Sequence, residues 1–237
     1  METFAGDFST LWTLNQRPPI EHLTWDWWWW LVMLDDDEHP MAGKQLMVLW
    51  STKENDHVHI NDVEWKPKGT PGFDDQGAIQ IDGMVCAWWF DGSVMHDEII
   101  AKVCDMVVLP SNHASWPGKE GQGGGAVVPL LEGDCSMGML PDRSQFWLNL
   151  DLEHEAVQSI QLKMTPWNPA MSTAREATAT YLGSLGYDIL RLHGTKVSGI
   201  IDGEDVSGTA YFQKVCVQAP SVPWYWGVLH FSGPTFV

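Results

Sequence analysis

Asp26 stands immediately before four consecutive tryptophans, Trp27 to Trp30, and a second aromatic group, Trp224-Tyr225-Trp226, lies near the other end of the chain. On an extended strand alternate side chains share a face. Trp25, Trp27, Trp29, Leu31 and Met33 therefore point one way, and Asp26, Trp28, Trp30, Val32 and Leu34 the other. Neither set is polar enough to face open water, so one is expected to pack on a neighbouring element while the other lines a cavity. Indole faces suit a polyene or isoprenoid, and the quadrupole that attracts ammonium groups also stabilises an allylic cation. The plainer reading is that all four rings fill a core. Fifteen tryptophans against four tyrosines fit both a Trp-rich core and a wide, flat-walled ligand cavity.

Other chemistry has weaker support. His57 and His59 share a strand face near Asp62 and could offer two metal ligands, but no third is identifiable and no metal is expected. Gly118-Lys119 lacks the spacing of a phosphate-binding loop, and Gly183-Ser184-Leu185-Gly186 lacks that of a nucleophile elbow. Cys86, Cys104, Cys135 and Cys216 form no CxxC pair, which argues against a zinc knuckle or a redox motif. No motif implies a cofactor. His22, His96, His193 and His230 lie beside aromatic strands and could border a pocket, although such residues are more commonly structural.

The elements that must position these residues read as strands, from apolar/polar alternation broken by turn residues. Strands are expected over Leu23–Leu34, Lys44–Thr52, Ala78–Phe90 with an Asp82-Gly83 turn inside it, Glu98–Leu109, Gln145–Leu152 and Val157–Met164. Val58–Trp65 alternates around Asn61-Asp62. Later come Tyr187–His193, Lys196–Ile201, an Asp202-Gly203 turn, Val206–Val217 and Trp224–Phe231. Pro169–Leu182 is the best candidate for a short helix, with Ser172 or Thr173 as its cap. The expected fold class is all-β.

Charge narrows the partners. With 31 acidic and 13 basic residues the formal net charge is −18, a field that repels phosphate backbones and anionic membrane surfaces. Nucleic acid is a poor partner; a lipophilic small molecule is a better one. The longest apolar run, Trp27 to Leu34, is far short of the roughly 20 residues a membrane-spanning helix needs. No signal-peptide pattern is visible at the N-terminus, so a cytoplasmic location with reduced thiols is expected.

Trp27 to Asp36 lines up with Trp224 to Gly233: an aromatic triplet, an apolar strand, then an acidic or small turn. The echo suggests one β domain over residues 1–200 and the opening of a second, truncated or reduced, over 201–237.

Two segments also carry a family likeness. Gly199 to Gln213, GIIDGEDVSGTAYFQ, followed by Pro223-Trp224-Tyr225-Trp226-Gly227, resembles the "G-x-x-Y-x-x, then W-x-W" signature of the hydroxyneurosporene synthase group. That group contains carotenoid 1,2-hydratases and AttH-like proteins, and Asp26-Trp27-Trp28-Trp29 looks like its acidic-Trp-Trp-aromatic opening. The same architecture occurs in fungal decalin-forming cyclases. The resemblance implies lipocalin-like antiparallel β domains with a pocket near their junction, and a lyase or cyclase acting on an isoprenoid or polyene. It also implies a carboxylic acid two residues after the motif tyrosine, to protonate an alkene. Here Tyr211 is retained and that place holds Gln213, an amide that cannot deliver a proton. A carboxyl in an apolar pocket can stay protonated at neutral pH, so Asp26 becomes the first candidate donor, ahead of Glu21 and Asp188. The expected site thus has Asp26, Tyr211 and Gln213 as its reactive part and Trp27, Trp29, Trp224, Trp226 and His230 around the substrate. A non-catalytic lipophile carrier and, behind it, a carbohydrate-binding sandwich are the rival readings.

Overall fold

The computed structural model describes residues 20, 23–36, 43–53, 58–60, 63–66, 72–109, 126–129, 135–140, 144–167, 179–180, 185–219, 227–228 and 230. Their strands, in chain order, are β1 (Thr24–Leu34), β2 (Gln45–Lys53), β3 (Val58–Ile60), β4 (Val63–Trp65), β5 (Gly72–Phe73), β6 (Ile79–Phe90) and β7 (Met95–Leu109). There follow β8 (Ala126–Pro129), β9 (Ser136–Met139), β10 (Phe146–Asp151), β11 (Ser159–Pro166), β12 (Ala179–Thr180), β13 (Gly186–Ile201) and β14 (Glu204–Gln218). Pairing runs β11-β10-β9-β8-β7-β6-β2-β1-β14-β13. Strand β13 then pairs antiparallel with β11, from Ile160↔Ile201 to Pro166↔Thr195. The hydrogen bonding returns on itself, which leaves no free edge around this circuit. This is an all-β antiparallel barrel, the fold class that the alternation led us to expect, and it settles the choice between barrel and sandwich.

Period-two alternation decides what fills the barrel. Along β11, Ile160, Leu162 and Met164 are buried while Gln161, Lys163 and Thr165 are exposed. That order, apolar inside and polar outside, is the reverse of a membrane-spanning barrel. No helix among the described residues is long and apolar enough to cross a membrane. The interior is packed with large rings. Trp30 meets Phe212 at 4.6 Å and Phe146 at 5.4 Å between ring centroids, and Trp28 and Trp50 are fully buried in the same core.

One stretch of the interior is polar. Thr24, Asp26, Thr52, Lys214 and Gln218 are all buried. Lys214 Nζ is paired with Asp26 Oδ1, donates to the Val215 carbonyl at 3.2 Å and lies 4.9 Å from the Trp28 ring centroid. Gln218 Nε2 donates to Thr24 Oγ1 at 3.3 Å. A buried ammonium survives only with such partners.

Several elements differ from the sequence reading. Asp82-Gly83 does not turn: β6 runs straight through, and a Cβ on Gly83 would collide with the Met106 side chain and the Ser51 carbonyl. The glycine is needed for close approach inside a strand. The two strands expected on either side of Gly194 are one strand, β13, with a bulge between Leu192 and Thr195. Most of the expected helix over 169–182 lies outside the described residues, and Ala179–Thr180 within it is strand paired to Gly186–Tyr187. Strand β14 is hydrogen-bonded to β1 on one side and β13 on the other, so residues through Gln218 belong to the barrel. Beyond Ala219 only residues 227, 228 and 230 are described.

The Asp202-Gly203 turn is where expected. Both residues have positive φ, 49° and 87°, as a tight hairpin turn demands. Asp202 Oδ1 accepts from the Gln158 and Ser159 amides at 2.9 and 2.7 Å, which ties this turn to the start of β11 where the barrel closes.

Candidate functional site

The outward face of β1 is half-buried from Trp25 to Met33, while its inward face is fully buried. Register sets its neighbours. Trp29 lies between Leu49 of β2 and Gln213 of β14, and Leu31 between Met47 and Tyr211. Met47 in turn faces Trp88 of β6. These outward side chains enclose a cleft of about 230 Å³, lined by Trp25, Trp27, Trp29, Met47, Leu49, Trp88 and Gln213 and open on one side. Next to it Trp65 of β4 packs with Met84 and Cys86, so the apolar wall continues under the β3–β4 hairpin.

The rings of the wall are fixed. Trp25 and Trp27 meet edge to face at 5.1 Å, and the Trp25 indole N–H donates to Ser51 Oγ. Trp29 meets Tyr211 edge to face at 6.0 Å. Tyr211 is 3% exposed and Gln213 7%. The Tyr211 hydroxyl donates to Gln213 Oε1 at 2.9 Å. Burial pushes the Tyr211 phenol up to about 12, against the opposing pull of the Arg191 guanidinium that hydrogen-bonds to it. The phenol therefore keeps its proton across the neutral range.

The structure brings Trp27, Trp29, Tyr211 and Gln213 together on one outer wall. Asp26 is not with them. It points into the barrel, where it is paired with Lys214, because a one-residue step along a strand reverses the face. Trp28 and Trp30 likewise fill the core. His230 lies further along the outer side of β14. Its Nε2–H donates to the His193 carbonyl at 3.0 Å and its Nδ1 accepts from Thr209 Oγ1 at 2.8 Å, beside the Trp167 ring. Burial pushes its pKa down. Trp224, Trp226, His22 and His57 lie outside the described residues. His96 is hydrogen-bonded to Asp91 at 2.9 Å in the β6–β7 turn and does not line the cleft. None of the four cysteines, all of them buried, is in a disulfide, and burial pushes the Cys86 and Cys104 thiols up to about 12.

The sequence reading missed Met47, Leu49, Trp88 and Arg191. Met47 and Leu49 alternate within KQLMVLWST and could have been found from the pleat alone. Trp88 and Arg191 depend on which strands become neighbours, and no local pattern carries that.

No family model and no curated protein matches the chain. Among solved structures the chain is similar to a Nitrosomonas europaea protein provisionally called AttH. The TM-score is 0.45 and the identity 14%, with 85% of this chain covered. The chain spans about half of that neighbour, 53% of its length.

Proposed function

We propose that this protein binds a flat, lipophilic small molecule, of the isoprenoid or polyene kind, against the tryptophan wall outside its barrel. The observation that carries the reading is the half-buried indole series Trp25, Trp27 and Trp29 facing Trp88 across an open apolar cleft. A strand turned to water does not spend three indoles on its outer face unless something covers them. At about 230 Å³ the cleft is smaller than the roughly 300–1,000 Å³ that houses a whole drug-sized ligand. One ring system or one end of a longer chain fits it, with the remainder projecting through the open side.

Of the roles weighed from the sequence, binding of a lipophile without conversion is the better supported. Among the described residues lining the cleft there is no carboxyl, and the nearest acid on β1, Asp26, is paired on the other face. Alkene protonation needs a donor in contact with the double bond. Titration of intrinsic tryptophan emission with a short conjugated polyene tests the reading, with product analysis alongside. Saturable quenching, weakened at least tenfold in Trp27→Ala or Trp88→Ala, is the expected result. Quenching by glycans and not by polyenes would overturn it, as would affinity indifferent to both substitutions.

A further inference from the structure

Resting on that binding reading, we propose that the cleft selects lipophiles ending in a hydrogen-bond acceptor, a carbonyl above all, and that Gln213 reads this group through its amide N–H. A glutamine side chain offers one acceptor oxygen and two N–H donors. Here the oxygen is engaged, since Gln213 Oε1 accepts the Tyr211 hydroxyl at 2.9 Å. The phenol hydrogen is committed to that contact, because an amide oxygen can only accept. Arg191, directly across from Gln213 in the β13–β14 register, brings a donor-only guanidinium to the same face. The hydrogen bond from Tyr211 fixes the amide: oxygen towards Tyr211, nitrogen on the other side.

The rest of the lining agrees in sign. Tryptophan carries a donor only, the Trp25 N–H is already given to Ser51, and leucine and methionine add no strong polar group. The side chains facing the guest thus present hydrogen-bond donors and no unengaged strong acceptor. A carbonyl finds a partner there. A hydroxyl or amine must bury its own hydrogen with nowhere to donate it, and an unmade hydrogen bond in an apolar place is costly. Tyr211 is a positioning residue in this scheme: it acts on the guest only through Gln213.

Three probes of one shape test the idea: β-ionone, the corresponding alcohol, and the hydrocarbon with a methylene in place of the carbonyl. For the unaltered protein the ketone should bind about five- to tenfold more tightly than the hydrocarbon, the amount one net hydrogen bond supplies, with the alcohol between them. Gln213→Met should bring the ketone-to-hydrocarbon ratio close to one. Tyr211→Phe frees the amide to turn its oxygen outward, so the alcohol should gain on the ketone, a change that loosened packing alone would not produce. Equal binding of ketone and hydrocarbon to the unaltered protein overturns the donor assignment and leaves the binding cleft standing. So does a ratio unmoved by Gln213→Met. Failure of all three probes to bind removes the cleft reading and this inference with it. The unaltered protein's ratios need no variant, so a substitution that does not fold cannot hide the answer.

Discussion

Strands β1 and β11 are both staves of the same barrel, dressed in opposite ways. Strand β11 buries Ile160, Leu162 and Met164 inside and shows Gln161, Lys163 and Thr165 to water. Strand β1 buries Trp28, Trp30 and Val32 inside and still carries Trp25, Trp27, Trp29, Leu31 and Met33 outside. Closing the barrel requires only the inner set, as β11 demonstrates. The outer indoles of β1 answer a different demand, and the cleft against Trp88 is where it is felt. On the proposed reading, stability and binding are separated by a single residue's step along one strand.

Truncating each face of β1 breaks that comparison most directly. Trp30→Ala removes a ring packed on Phe146 and Phe212 and is expected to cost about 3–5 kcal/mol in denaturant unfolding. Trp27→Ala, on the half-buried side, should cost about 1 kcal/mol, the commonplace effect of a substitution, while lowering polyene affinity. Equal stability losses at the two positions would erase the distinction.

Lys214→Met probes the inner polar stretch. It leaves the Asp26 carboxylate buried without its cation and should destabilise by about 3–5 kcal/mol. Adding Asp26→Leu should restore most of the loss, and polyene affinity should hardly change in the folded double variant, since both groups face away from the cleft. An affinity drop comparable to that of Trp27→Ala would return Asp26 to the site.

At the seam where β11 meets β13, a Cβ on Gly199 would overlap the Gln161 carbonyl and crowd the Leu162 backbone. Gly199→Ala is expected to cost about 1–3 kcal/mol, the usual range for overpacking. Hydrogen exchange should show the loss first at the Leu162 and Ser198 amides.

The smallest effect is in pH. With its folded pKa raised to about 12 from 10, the Tyr211 phenol stays neutral in the folded chain between those values while the unfolded chain ionises. Its contribution to stability is whole below pH 10 and is lost as pH rises towards 12. Phenolate absorbance should show one of the four tyrosines titrating late, and polyene affinity should be level from about pH 6 to pH 9.

Most of the strands were legible, because a strand buried on one side advertises itself in its own alternation: QFWLNLD and SIQLKMTP need no neighbour to be read. The two faces of β1 were legible for the same reason, down to which indoles travel together. What misled was local chemistry overruled from a distance. Asp82-Gly83 looks like a turn until Met106 and Ser51 claim the space a side chain would take. Leu192 to Thr195 looks like a break until β14 runs alongside and makes it a bulge. Asp26 looks like a proton donor among indoles until Lys214, far along the chain, is laid against it.

The sequence by itself determined that this chain makes strands, that β1 is apolar on both faces, and that Tyr211 and Gln213 share a side. All three follow from the two-residue period of an extended backbone, a local property. Only the tertiary structure decided which face of β1 turned inward, that β14 closes against both β1 and β13, and that Trp88 and Arg191 come to stand around Gln213. Those are matters of pairing order and register between distant segments, and the gain that fixes them, one shared core filled by many strands at once, is not written in any single stretch of residues.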